Sequence, residues 1–167
     1  MRIVAAATYN GYVMVVINLP DEAATATLAA RLAAIARVGD IIALEGDLGA
    51  GKTTFARAFI CASGVADREV PSPTFTLVQV YDAAEAEIWH FDLYRLAAAD
   101  EAWELGIEEA FLSGISLIEW PDRLGRLLPQ RRLAITLEFS DRPEARRVVI
   151  EGDAEWRARL CEIAVDG

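Results

Sequence analysis

Residues 45–55 read EGDLGAGKTTF, and no other segment of the chain constrains its fold as tightly. Gly46, Gly51, Lys52 and Thr53 stand at the spacing of a phosphate-cradling loop: glycine, four residues, glycine, lysine, then a hydroxyl residue. Such a loop works only between a buried strand and a helix, where successive backbone N–H groups and the helix dipole converge on one anion. Both flanks are present. The run IIALEG is short, apolar and rich in β-branched residues, as a buried strand is, and a helix is expected from Lys52 to about Ser63.

The rest of the chain continues this alternation. VMVVINLP reads as a short strand, and Pro20-Asp21-Glu22 opens a helix with Leu28, Leu32 and Ile35 on its buried stripe, ended by Gly39-Asp40. In SPTFTLVQVYD the residues alternate from Thr74 to Val80, which with EIWHFDLYRL predicts a hairpin across DAAEAE. AAADEAWELGIEEAFL reads as one helix carrying Trp103, Ile107 and Phe111 on a stripe, with Gly106 a weak point. ISLIEWP is a second buried strand and DRLGRLLP a short helical turn. RRLAITLEF and ARRVVIEG form a hairpin, and AEWRARLCEIA closes the chain as an amphipathic helix. The order predicts an α/β three-layer fold of the P-loop NTPase kind, one domain over residues 1–167, with a mainly parallel central sheet and antiparallel hairpin additions.

Composition narrows the functions available. A net charge of −10 argues against a chain that binds nucleic acid broadly by itself, so any nucleic acid is expected to arrive on a partner. The longest apolar stretches fall far short of the roughly 20 residues that cross a bilayer. Asn10 and Gly11 interrupt the apolar N-terminus, against a signal peptide, and a cytoplasmic protein without membrane attachment is expected. Cys61 and Cys161 lack CxxC spacing and read as reduced core fillers. Lys52 is the only lysine among sixteen Lys and Arg residues. An Asn-Lys-x-Asp guanine-reading motif therefore cannot exist, which favours ATP over GTP.

Around the loop, particular residue types suit phosphate chemistry. Lys52 would reach β- and γ-phosphate oxygens, and the Thr53 hydroxyl would hold Mg²⁺. Glu119 ends the apolar run ISLI, where a carboxylate that orients the metal is expected, and Trp120 after it reads as either a neighbour of the site or plain core. In HFDLYR, strand alternation puts His90, Asp92 and Tyr94 on one face. Asp92 is placed to orient a water or the metal shell, while a lone His90 fits a structural role at least as well. Thr74, beside Pro71 and Pro73, reads either as a threonine that senses the γ-phosphate or as a strand-forming residue of the hairpin.

GDLGAGKTT, SPTFTLV, HFDLYRL and LIEWPDR, in this order and spacing, resemble the bacterial TsaE family. That family is the small ATPase acting with TsaB and TsaD in making threonylcarbamoyladenosine next to the anticodon of tRNA. The resemblance runs from Leu19 to about Phe139. It implies that Asp21, Glu22 and Thr25 approach the nucleotide base and that Leu48, Gly49, Ala50, Gly51, Lys52, Thr53 and Thr54 wrap the phosphates. It further implies that Thr53 and Glu119 form the Mg²⁺ site, that Asp92 is linked to ATP hydrolysis, and that Thr74 lies in a switch-like hairpin. Phe75 stands where many relatives have Tyr, and DRLGRLLP replaces a more glycine-rich turn. Residues 1–13 look like a non-essential extension, with Met14 as a possible start. On this reading a TsaB–TsaD-type complex is the partner, holds the tRNA, and carries out the transfer. Two alternatives stand beside it. One is a P-loop small-molecule kinase, whose lid would be imitated by Arg123, Arg126, Arg131 and Arg132; the other is a nucleotide-dependent binding module without useful turnover.

Overall fold

The computed structural model describes residues 2–9, 11–65 and 70–164. The chain enters through strands β1 (Arg2–Tyr9) and β2 (Tyr12–Leu19), then runs through helix α1 (Glu22–Ala33), β3 (Ile41–Glu45) and helix α2 (Lys52–Ala62). Next come β4 (Val78–Asp82), β5 (Glu87–Asp92), a 3-10 helix (Ala99–Trp103), α3 (Ile107–Ser113) and β6 (Ile115–Glu119). A second 3-10 helix (Pro121–Leu127), β7 (Leu133–Phe139), β8 (Arg146–Gly152) and α4 (Ala154–Ala164) complete it.

Among the described residues the strands form one sheet in the order β1-β2-β8-β7-β3-β6-β5-β4. Its centre, β7-β3-β6-β5, is parallel throughout. The flanking pairs β4–β5, β7–β8, β2–β8 and β1–β2 are antiparallel. Parallel strands covered on both faces should read as unbroken apolar runs, and all five residues of β6 are buried. On one face Leu28, Phe55, Phe59 and Trp156 from α1, α2 and α4 pack with Leu44 and Leu117. On the other, Ile107 and Ala110 of α3 pack with Ile41, Phe91 and Ile118. Three layers result. Register pairs Leu44 with Glu119 and Asp92 with Glu119, so the parallel strands end together, forming the crevice at their carboxyl ends where α/β sheets bind ligands.

Helix α4 is anchored by charge as well as by Trp156. Arg159, itself buried, donates to both carboxylate oxygens of Asp40 at 2.6 and 2.9 Å and to the Ile35 carbonyl at 3.0 Å. Breaking a buried pair from one side strands a charge. Arg159→Met is therefore expected to lower unfolding free energy by about 3–5 kcal/mol in urea titration, leaving the buried Asp40 charge with only the Arg37 N–H.

Several elements differ from their sequence reading, each for a visible reason. Helix α1 stops at Ala33, because the N–H groups of Ile35 and Ala36 bond to Leu32 and Ala33 in tightened turns well before Gly39. The helix expected through residues 97–112 is broken. Gly106 takes φ +77° and caps α3, and a Cβ there would sit 3.1 Å from the Trp89 ring; Trp103 leaves the stripe and is half exposed. Residues 74–77 turn rather than extend, with the Leu77 N–H on the Pro73 carbonyl at 2.6 Å and Leu77 at φ +64°. Cys61 and Cys161 are exposed rather than core fillers, since Ile60 and Leu160 beside them take the buried positions. Met14 lies inside β2, so a chain beginning there would lack β1 and shorten the β2–β8 ladder. No helix among the described residues is long and apolar enough to cross a membrane.

Candidate functional site

The site is built where β3 gives way to α2. Gly46 opens the loop at φ +130°, and a Cβ at that position would lie 2.3 Å from the Leu137 carbonyl of the neighbouring strand. Only glycine fits so close an approach. The loop then folds so that Lys52, the first residue of α2, turns back over it. Its ammonium is buried, donates to the Gly46 and Asp47 carbonyls at 2.5 and 2.9 Å, and lies 3.9 Å from the centre of the Trp120 ring. Burial pushes the Lys52 ammonium below its ordinary pKa, against the pull of Glu119, Asp92, Asp47 and Asp122. A polyanion bound beside it would oppose that shift by adding negative charge.

Two buried carboxylates face the loop. Glu119 accepts the Thr53 hydroxyl on Oε2 at 2.9 Å and meets His90 Nε2 with Oε1 at 2.8 Å. Thr53 and Glu119 thus offer adjacent hydroxyl and carboxylate oxygens, the hard donor set that suits Mg²⁺. Asp92 accepts the hydroxyls of Thr74 and Ser72 on Oδ2 at 2.9 and 3.3 Å, and the Tyr94 N–H on Oδ1 at 3.2 Å. This bonding ties Ser72 and Thr74 to the end of β5. Strand β5 ends at Asp92, so His90 and Asp92 share a strand face while Tyr94 lies beyond it, its ring 4.9 Å from that of Trp120. Trp120 itself sits at φ +59°. The non-glycine residues with positive φ among those described are Leu77 and Trp120, and both border this site, the kind of place where backbone strain is retained.

A cavity of about 260 Å³ gathers these groups; Leu48, Gly49, Gly51, Lys52, Thr53, Thr54, Thr74, Asp92, Tyr94, Glu119 and Trp120 line it. A second, of about 370 Å³, shares Gly51 and Thr54 with it and extends to Asp21, Glu22, Thr25 and Ala50. The residues assigned from sequence to nucleotide, metal or catalysis each line one or the other, whereas Gly46 and His90 line neither. Roles within them are unequal, however. Asp21 caps α1, accepting the Ala24 N–H on Oδ1 at 2.8 Å, and Thr25 is buried. The second cavity also holds a residue that sequence reading missed. Arg146, at the start of β8, donates to the Ala50 carbonyl at 2.8 Å and braces the loop from outside. Its partner lies 96 positions away, and an arginine at the start of a hairpin strand carries no local mark of such a task.

The chain is similar in sequence and fold to known proteins. The family model described as "Threonylcarbamoyl adenosine biosynthesis protein TsaE" matches residues 19–148. The tRNA threonylcarbamoyladenosine biosynthesis protein TsaE of Bacillus subtilis is 39% identical over 144 residues, covering 86% of this chain and 87% of that protein. Its namesake from Rickettsia conorii is 42% identical over 124 residues, covering 74% and 71%. The crystal structure of Bacillus subtilis YdiB superposes with a TM-score of 0.72 at 31% identity, covering 89% of this chain and 92% of that one. With sequence, fold and the matched span agreeing, this chain belongs to the TsaE family of tRNA threonylcarbamoyladenosine biosynthesis proteins.

Proposed function

We propose that this protein binds ATP with Mg²⁺ and hydrolyses it, and that this cycle acts on a TsaB–TsaD complex to sustain threonylcarbamoyladenosine modification of tRNA next to the anticodon. The observation that carries the reading is the bonding of Asp92. One carboxylate lines the phosphate-loop cavity and also holds the hydroxyls of Ser72 and Thr74, whose turn carries Phe75, 82% exposed, on the surface. A change in what occupies the cavity is thereby linked to the shape of an exposed turn.

In the mechanism, the backbone N–H groups of residues 48–53 and the start of α2 receive the phosphates, and Lys52 exchanges its loop carbonyls for phosphate oxygens. Thr53 and Glu119 would hold Mg²⁺, which neutralises charge on the phosphate oxygens when bound. Asp92 orients the attacking water and accepts its proton, and in doing so loosens its hold on Thr74. Asp21, Glu22 and Thr25 border the base. Arg146 keeps the loop in place. The net charge of −10 suits a division of labour in which tRNA meets the partner complex rather than this chain, with the reaction in the cytoplasm.

The kinase alternative is weakened by where the arginines go. Arg131 pairs with Asp153 and Glu155, Arg132 donates to the Pro129 carbonyl, and Arg123 and Arg126 lie on a 3-10 helix anchored by the buried Leu124. Phosphate release from ATP measured without an acceptor separates the readings. We expect slow release by the protein alone and at least about a tenfold rise when TsaB and TsaD are added. Absence of any rise, or transfer of phosphate to a small acceptor, would overturn the proposal.

A further inference from the structure

His90 is the only histidine, is fully buried, and forms with Glu119 and Thr53 a chain of side chains that ends at the phosphate loop. A carboxylate only accepts, so His90 Nε2 carries the proton and donates to Oε1. The other ring nitrogen, Nδ1, is buried without a partner, so the imidazole is held at this end by Glu119. The consequence lies in what remains of the carboxylate. Oε1 is engaged by the buried His90, and Oε2 lies beside the Thr53 hydroxyl that lines the cavity.

We propose that His90 is a positioning residue that makes Glu119 a one-oxygen ligand and thereby sets the preference of the site for Mg²⁺ over Ca²⁺. The proposal rests on the reading of Thr53 and Glu119 as the residues that hold the metal. Ca²⁺ accepts six to eight oxygens and commonly takes both oxygens of a carboxylate, whereas Mg²⁺ demands a compact octahedron and takes one. A carboxylate with one oxygen spoken for suits the smaller ion and penalises the larger. Partners of ligating groups characteristically change metal affinity by about 10–100-fold when removed. Here the effect should fall unequally on the two ions.

The test measures dissociation constants for a fluorescent ATP analogue in Mg²⁺, in Ca²⁺ and in chelator, for the wild type and three variants. His90→Leu removes the donor, His90→Asn keeps an amide that stops short of Glu119, and His90→Gln can restore a donor near the Nε2 position. The ratio of Mg²⁺- to Ca²⁺-supported affinity should narrow about tenfold in the Leu and Asn variants and stay near wild type in the Gln variant, with chelator affinity unchanged. A purely structural role would lower the unfolding midpoint and leave the ratio where it was, and that result overturns the proposal. His90→Asn keeps the test decisive if His90→Leu fails to fold. A wild type whose nucleotide affinity is no greater with Mg²⁺ than in chelator would instead remove the metal reading beneath it.

Discussion

Asp92→Asn is expected to bind ATP within about threefold of the wild-type affinity and to hydrolyse it on the order of 10²–10⁴-fold more slowly. The substitution preserves the shape of the side chain, and its amide oxygen can still accept the Thr74 and Ser72 hydroxyls at the cost of the bond from the Tyr94 N–H, so most of the turn's anchoring is kept. What it removes is the capacity to take a proton from water. A general base of this kind contributes to the reaction and little to binding, which is why the two measurements should separate. Single-turnover phosphate release beside equilibrium nucleotide binding checks it. Equal losses in both would mean that Asp92 serves the loop's structure and not the chemistry.

Lys52→Ala should lose both. Its ammonium is the one lysine charge in the chain and sits at the mouth of the loop, and we expect ATP affinity to fall at least about tenfold and turnover by roughly 10²–10³-fold. Stability should behave differently. Burial works against the Lys52 ammonium, while its bonds to the Gly46 and Asp47 carbonyls and the nearby Glu119 and Asp92 favour it, so its removal is expected to change the thermal unfolding midpoint little. Loss of function with a lowered midpoint would instead assign Lys52 a mainly structural task.

The distance between the sequence reading and the folded molecule differs from element to element. Strand, loop and helix around Gly46–Thr53 were legible because glycine spacing, an apolar run and a helix start all point to one arrangement. Glu119 was legible as the polar residue that terminates a buried strand. Residues 74–77 were not, since alternation from Thr74 to Val80 predicts a strand whereas Asp92, at the end of β5, holds the Thr74 hydroxyl and Leu77 takes a positive φ. Gly106 interrupts its helix by taking φ +77°, and Trp89 of β5 leaves little room for a side chain there. Arg146 and the orientation of Glu119 by His90 depend on contacts across the sheet, which no local pattern records.

The central claim is that ATP turnover in this chain sustains tRNA modification carried out by others. It is tested most directly by following threonylcarbamoyladenosine formation on tRNA over many cycles, with TsaB, TsaD and the threonylcarbamoyl donor, adding wild-type protein, Asp92→Asn or Lys52→Ala. The account predicts sustained modification with the wild type alone and, with either variant, modification that stops after about one cycle per complex. Equal yields from all three would contradict it.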